Sequence, residues 1–158
     1  MGCFDKLFET YDKLFLFDTE TTGLLYNRDE IIEFAAVVVE NRGGVPTVIE
    51  QYDELITLSP GGFVPPKIQE LTGISTQDIR ERGLPKARVA QDIARMFKGN
   101  TLLLAYNAHF DLSFLYKNGF DFTAKKRKYF DVLEIVRTVL KKPKKKWDKE
   151  LESYEINY

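Results

Sequence analysis

The sequence predicts an α/β domain built around a mixed sheet, and three features of the chain carry that prediction. Apolar runs of strand length alternate with stretches of helical periodicity. Two of the runs are joined by a short Gly-rich turn, which marks an antiparallel hairpin. A further strand-like run and a helix then follow the helical stretches, the order that parallel pairing needs. The length of 158 residues suits one domain covering 1–158, in which about two-thirds of the unfolded chain's surface can be buried.

Residues Phe4–Asp12 form a short, weakly amphipathic lead-in. Leu14–Phe17 is a continuous apolar run ending in Asp18, the pattern of a strand covered on both faces. Ile31–Val39 is a second, β-branched strand; Asn41-Arg42-Gly43-Gly44 supplies the turn, and Val48–Leu58 returns as a third. Ser59–Pro66 reads as a loop. Ile68, Leu71 and Ile74 recur at helical spacing with a break at Gly73, and Ser75 or Thr76 can cap the next turn. Val89, Ile93 and Phe97 mark another helix, closed by Gly99. Thr101–Ala105 is again a strand, and Asn107 opens a helix through Phe110, Phe114 and Leu115. Asp131 can cap a last helix with Val132, Ile135, Val136 and Val139 inward. Lys141–Lys146 interrupts the pattern, and Trp147–Tyr158 is a short final segment.

Composition excludes several classes. With 44% apolar and 30% charged residues the chain is neither collagen-like nor disordered, and the single Cys3 rules out an internal disulfide framework. The longest apolar runs, Leu14–Phe17 and Ala35–Val39, are too short to span a bilayer. The N-terminus lacks a signal-peptide pattern, and Lys6 stands where a myristoylation signal takes Ser or Thr. A cytoplasmic protein is expected. The hairpin argues against a Rossmann sheet, and neither Gly-x-Gly-x-x-Gly nor a Walker motif is present. The net charge of −1 is unevenly spread: residues 1–120 carry 12 Lys and Arg against 17 Asp and Glu, residues 121–158 carry 11 against 7. An acidic body with a basic tail is consistent with a carboxylate site beside a phosphate-facing edge, Lys125–Lys128 and Lys141–Lys146 being its candidate cations.

The chemistry concentrates at the end of the first strand. Asp18 and Glu20, two apart in extended chain, project from one face, and two such anions repel unless a cation compensates them. Asp111 lies one turn into the helix after Thr101–Ala105, and parallel pairing would carry it to the same carboxyl edge of the sheet. Three carboxylates there suit hard divalent ions, and a pair of ions about 3.5–4 Å apart is a known device for phosphodiester cleavage.

Phe17-Asp18-Thr19-Glu20-Thr21-Thr22-Gly23-Leu24 resembles the first motif of the DnaQ-like 3′→5′ exonucleases, a family that includes the proofreading epsilon subunit and the PolC exonuclease domain. Tyr106-Asn107-Ala108-His109-Phe110-Asp111 resembles the second, and Ile68–Ser75 with Gly83-Leu84-Pro85 resembles the connecting pattern. The resemblance, over about residues 12–140, implies a ribonuclease H-like three-layer α/β/α sandwich on a five-stranded mixed sheet. It implies stepwise hydrolysis of a nucleic acid, DNA or RNA, from a single-stranded 3′ end, with a role in replication or repair and a DNA polymerase as a further partner. Asp18 would bridge two Mg²⁺ or Mn²⁺ ions, with Glu20 on one and Asp111 completing the catalytic set. Thr21, Thr22, Gly23 and Leu24 would hold the terminal nucleotide, Leu24 and Phe110 would wedge and stack against bases, and Asn107 would position the substrate or its own motif.

One part of the family pattern is missing. Relatives carry a third motif, a His with an Asp five residues later on a final helix, whereas the one histidine here, His109, sits at a variable position of the second motif. It is expected to face water and not to act as the base. The domain is therefore expected to lack its last helix, to turn over slowly, and to expose an apolar sheet face that favours self-association. Asp131 is expected to cap a helix in preference to binding metal. Two other functions compete: a nucleic-acid-binding or replication-complex module that keeps the fold without the chemistry, and a phosphatase using Asp18 as nucleophile, which leaves Asn107 and Asp111 without a role.

Overall fold

The computed structural model describes residues 3–120, 128–139, 144–148 and 153–157. A short helix α1 (Cys3–Thr10) leads into β1 (Lys13–Thr21), followed by β2 (Ile31–Arg42) and β3 (Val45–Leu55). Three helices come next, α2 (Pro66–Thr72), α3 (Thr76–Arg82) and α4 (Lys86–Met96), then β4 (Thr101–Ala105) and α5 (Ala108–Lys117). After β5 (Tyr129–Asp131) come α6 (Val132–Val139) and a separate hairpin of β6 (Lys144–Asp148) and β7 (Ser153–Asn157). The main sheet has five strands in the order β3-β2-β1-β4-β5. β2 runs antiparallel to both neighbours, while β4 and β5 run parallel to β1.

Strand alternation sorts the core into layers. On one face Phe15, Phe17, Phe34, Ala36 and Val38 pack against Val89, Ile93 and Met96 of α4 and Phe114 and Leu115 of α5. Phe34 stacks on Phe15 and Phe17 at ring-centroid distances of 6.3 and 6.0 Å. On the other face Leu14, Leu102 and Leu104 meet Leu7 and Phe8 of α1 and Val132 of α6. Two helical layers thus sandwich the sheet, as the resemblance implies. A third cluster, Ile32, Leu55, Val64, Ile74 and Ile79, seats α2 and α3 at the sheet's end.

Local chemistry explains where elements start and stop. Gly43 and Gly44 both take positive φ, the requirement of a two-residue hairpin turn, so β3 pairs from Val45 instead of Val48 and ends at Leu55. Pro66 belongs to α2 and not to the loop, because a proline is tolerated at a first helical position. Gly73 ends that helix in the left-handed region, and Ser75 caps α3 in a reciprocal box with Asp78. Two expected core residues are exposed: Leu71 on α2 and Val136 on α6. The side chains of Ile135 and Val139, and Lys125–Arg127 and Lys141–Pro143, lie outside the described residues. Lys144–Lys146 fall in β6, not in an interruption. β5 is too short to announce itself by periodicity. Among the described residues no helix is long and apolar enough to cross a membrane.

Phe34 is fully buried at the centre of the aromatic stack. Phe34→Ala is expected to lower folding stability by about 3–5 kcal/mol, read as a fall in the urea midpoint at unchanged slope.

Candidate active site

β1 outruns its parallel neighbour. Pairing with β4 covers Lys13–Leu16 only, while the strand continues to Thr21. Past β4 the chain turns through Tyr106 and Asn107 into α5, which brings Asp111 to the unpaired edge of β1. There its Oδ1 accepts the Thr19 amide at 3.0 Å and the Thr19 hydroxyl at 2.7 Å. The carboxylate thus occupies the hydrogen-bonding position that a neighbouring strand would have filled, and Asp111 is 2% exposed.

Asn107 makes the turn possible. It is the one non-glycine residue with positive φ among those described, a conformation that Asn tolerates. In that geometry its amide donates to Asp131 Oδ1 at 2.9 Å, and the same oxygen accepts the Leu133 amide at 2.9 Å. Asp131 therefore caps α6, as expected, and also ties α6 to the start of α5. Phe110 is half-buried with its ring 4.8 Å from that of Phe114, and His109 is exposed on α5.

The loop after β1 is zipped at its base. Thr22 donates its amide to the Glu30 carbonyl at 2.9 Å, and its hydroxyl accepts the Glu30 amide at 2.9 Å. Thr21 is buried and donates to the Gly23 carbonyl. Gly23 is required by close approach: a Cβ there would collide with the Asp29 carboxylate, which accepts the Leu25 amide at 2.9 Å. Leu24 projects from this loop 79% exposed.

Alternation along β1 sends Thr19 and Thr21 into the core and leaves Asp18 exposed and Glu20 half-buried on the opposite face. Burial and the Asp18 charge both raise the Glu20 pKa. Burial and then Asp18 push Asp111 up to about 6, against the opposing hydrogen bonds from Thr19. Two acids not singled out in the sequence join this face. Glu33 stands directly across from Glu20, and Asp53 lies on β3 opposite Ala35. Burial, Asp53 and Glu20 push Glu33 up to about 7. The signal available was an acid placed within the apolar Ile31-Ile32-Glu33-Phe34 run. An open trough of about 560 Å³ runs beside Asp18, lined in part by Leu16, Ala35, Val37 and Asp53, so part of this sheet face is uncovered.

None of these five carboxylates is ion-paired to Lys or Arg among the described residues. Among the described residues no group of three or more His, Cys, Asp or Glu side chains is already gathered about one point. Asp111, hydrogen-bonded to Thr19, shares the electric field of Asp18. The donor set still fits a hard divalent cation: the oxygens are of the right type, their charge is uncompensated, and such ions commonly take one or two carboxylates and complete their shell with water or phosphate.

The combination of a mixed five-stranded sheet and acids at the end of its central strand defines a nuclease-type α/β domain. Residues 15–157 match the family model described as Exonuclease, and the chain belongs to this family of DnaQ-like 3′→5′ exonucleases. It is 37% identical over 99 residues to the DNA polymerase III epsilon subunit of Treponema pallidum, covering 63% of this chain and 42% of that protein. It is 37% identical over 132 residues to the PolC-type DNA polymerase III of Bacillus subtilis, covering 82% of this chain and 8% of the relative. Escherichia coli exonuclease I in complex with a dT13 oligonucleotide superposes with a TM-score of 0.68 at 24% identity, over 82% of this chain and 30% of that one. The fold is thus ribonuclease H-like. The chain spans less than half the length of these relatives. The family generally uses divalent metal ions.

The raised acids give a pH dependence whose sign follows from proton counting. Between its ordinary 3.8 and the folded value of about 6, Asp111 keeps in the folded chain a proton that the unfolded chain has released. Stability then falls as pH rises through that window, and Glu33 adds a fall of the same sign that extends to about 7. In chelator-treated protein Asp111→Asn is expected to make this fall shallower, and Asp111→Asn with Glu33→Gln shallower still, in urea midpoints taken across that range.

Proposed function

We propose that this domain hydrolyses single-stranded nucleic acid stepwise from its 3′ end, releasing nucleoside monophosphates. The observation that carries the reading is the set of uncompensated acids at the overhanging end of β1, Asp18 and Glu20 on the strand and Asp111 beside it. Such a field repels a bare phosphodiester, so the site requires a cation before substrate can enter. Asp18, Glu20 and Asp111 would hold Mg²⁺ or Mn²⁺, two ions when substrate phosphate is present, and these supply a deprotonated water and charge neutralisation at the leaving oxygen.

The chain's own residues position the strand. Asp18 is open to solvent and Asp111 is fastened by Thr19, so the first can share a ligand sphere with substrate while the second tunes its charge. The zipped loop Thr21–Leu24 offers backbone groups to the terminal nucleotide, and exposed Leu24 has the reach to wedge against its base. Asn107 acts at one remove, by setting the start of the helix that bears Asp111. Phe110, with much of its ring against Phe114, presents an edge to the same nucleotide. A cytoplasmic setting and a polymerase partner accord with the replicative relatives. A second reading, strand binding without cleavage, draws on His109, the one histidine in these 158 residues, which is exposed on α5 at a variable position of the second motif.

The two readings separate on one assay. With Mn²⁺ and a 5′-labelled single strand, a ladder of products shortened from the 3′ end is expected. Asp18→Ala should lower its rate by roughly 10³-fold, the scale on which lost electrostatic stabilisation acts, and excess chelator should abolish it. Strand binding without a ladder would establish the binding module instead.

A further inference from the structure

Away from the acids, a hollow of about 210 Å³ opens between the loop after β3 and helix α3. Ser59, Gly61, Gly62, Thr76 and Arg80 line it together with the apolar Leu58 and Ile79. The other Lys and Arg of α3 and α4 are ion-paired: Arg82 with Asp78, Arg88 with Asp92, Arg95 with Glu50 and Lys86 with Glu30. Arg80 makes no ion pair among the described residues and lies exposed at the mouth. Glu30, whose carboxylate stands beside Gly62, is taken up by Ser59 and Lys86, at 2.6 and 3.1 Å. Burial works against its charge, but those partners outweigh it and hold the carboxyl below its ordinary range.

Phe63 follows directly on the glycine turn and is 62% exposed, with no ring partner among the described residues. Its position is fixed by the next residue. The Val64 amide donates to the Thr76 hydroxyl at 2.9 Å, which fastens the loop one helical turn before Arg80. Gly61, at φ 77°, bends the backbone back, and a Cβ on Gly62 would press on the Ser59 carbonyl, so the turn favours glycine at both places. An unpaired guanidinium therefore lines this recess, and the exposed Phe63 follows directly on its Gly62 wall. That pairing recognises a nucleotide: the cation takes the phosphate and the ring stacks on the base, whatever its sequence.

The hollow is connected to the acidic site. Ser59 bonds Glu30, and Glu30 is zipped to Thr22 on the loop beside Asp18 and Glu20. Thr22 and Ser59 thus share Glu30 as a common partner, which sets the recess beside the loop that would hold the end being cut. We infer that this recess is a second nucleotide subsite for the substrate strand, with Arg80 on a phosphodiester and Phe63 on a base. The inference rests on the exonuclease reading for the identity of its ligand.

Two measurements on the full chain test it. Binding of a 5′-labelled single-stranded 12-mer is followed by fluorescence anisotropy in Ca²⁺, a hard cation that neutralises the acids, and hydrolysis of the 12-mer is compared with that of a dinucleotide in Mn²⁺. Arg80→Ala and Phe63→Ala are each expected to weaken 12-mer binding by roughly tenfold. Arg80→Ala should also reduce the slope of log K against log salt by about 0.7, the value for one single-strand phosphate, and Arg80→Lys should keep that slope. Dinucleotide hydrolysis should be unchanged, because that substrate is too short to reach the recess.

A 12-mer that binds Arg80→Ala as tightly as the parent, or an equal loss on both substrates, overturns the subsite. So does a variant that loses free nucleoside monophosphate while keeping the strand, since the recess would then serve the released product. A parent chain that cleaves neither substrate but binds the 12-mer through Arg80 would sink the exonuclease reading and leave the subsite standing. A parent that cleaves while Arg80→Ala is indistinguishable from it does the reverse, and one that neither binds nor cleaves removes both.

Discussion

β1 extends past β4 with an amide edge that no strand covers, and the Asp111 carboxylate closes that edge through Thr19. This one hydrogen-bonding arrangement accounts for much of the site's character. It explains why an acid is 2% exposed beside two other acids, because it completes the sheet where the sheet runs out. It also explains why α5 must begin where it does, with Asn107 in a left-handed turn immediately after β4. A carboxylate that doubles as a backbone partner is held in place by the fold itself.

The electrostatic consequence follows from the same packing. Asp111 accepts hydrogen bonds from Thr19, which favour its ionised form, yet burial and Asp18 outweigh them. Glu33 and Asp53 extend the negative field over three strands with no Lys or Arg paired to them among the described residues. The face beside Asp18 is consequently poised for cations, and its charge is an obstacle to nucleic acid until they arrive. The cost in stability is borne by the rest of the domain, where aromatic stacking around Phe34 and the apolar helical layers supply the burial.

Much of this was readable from residue order alone. The alternation around Asp18 and Glu20, the glycines of the β2–β3 turn and the Ser75 cap are local signals, and each operates in the structure as its chemistry dictates. What escaped was non-local. The Glu33–Glu20 juxtaposition depends on strand register, which a run of apolar residues does not announce. β5 draws its definition from pairing with Leu103–Ala105, since three residues are too few to show a period. Leu71 sits at a core-like helical spacing and is nevertheless exposed, because a two-turn helix at the end of a sheet has little to pack against. The hold of Thr19 on Asp111 escaped as well, since no motif flags that amide.

Asp131 joins two parts of the molecule through a single oxygen, which receives both the Leu133 amide of α6 and the Asn107 amide at the head of α5. The two helices therefore share a mechanical latch. Any molecule that draws the first turn of α6 away from the sheet also tugs on Asn107, and with it on the segment that carries Asp111. The start of α6 is thereby part of the scaffold on which Asp111 rests, so the placement of an acid depends on a contact two elements away.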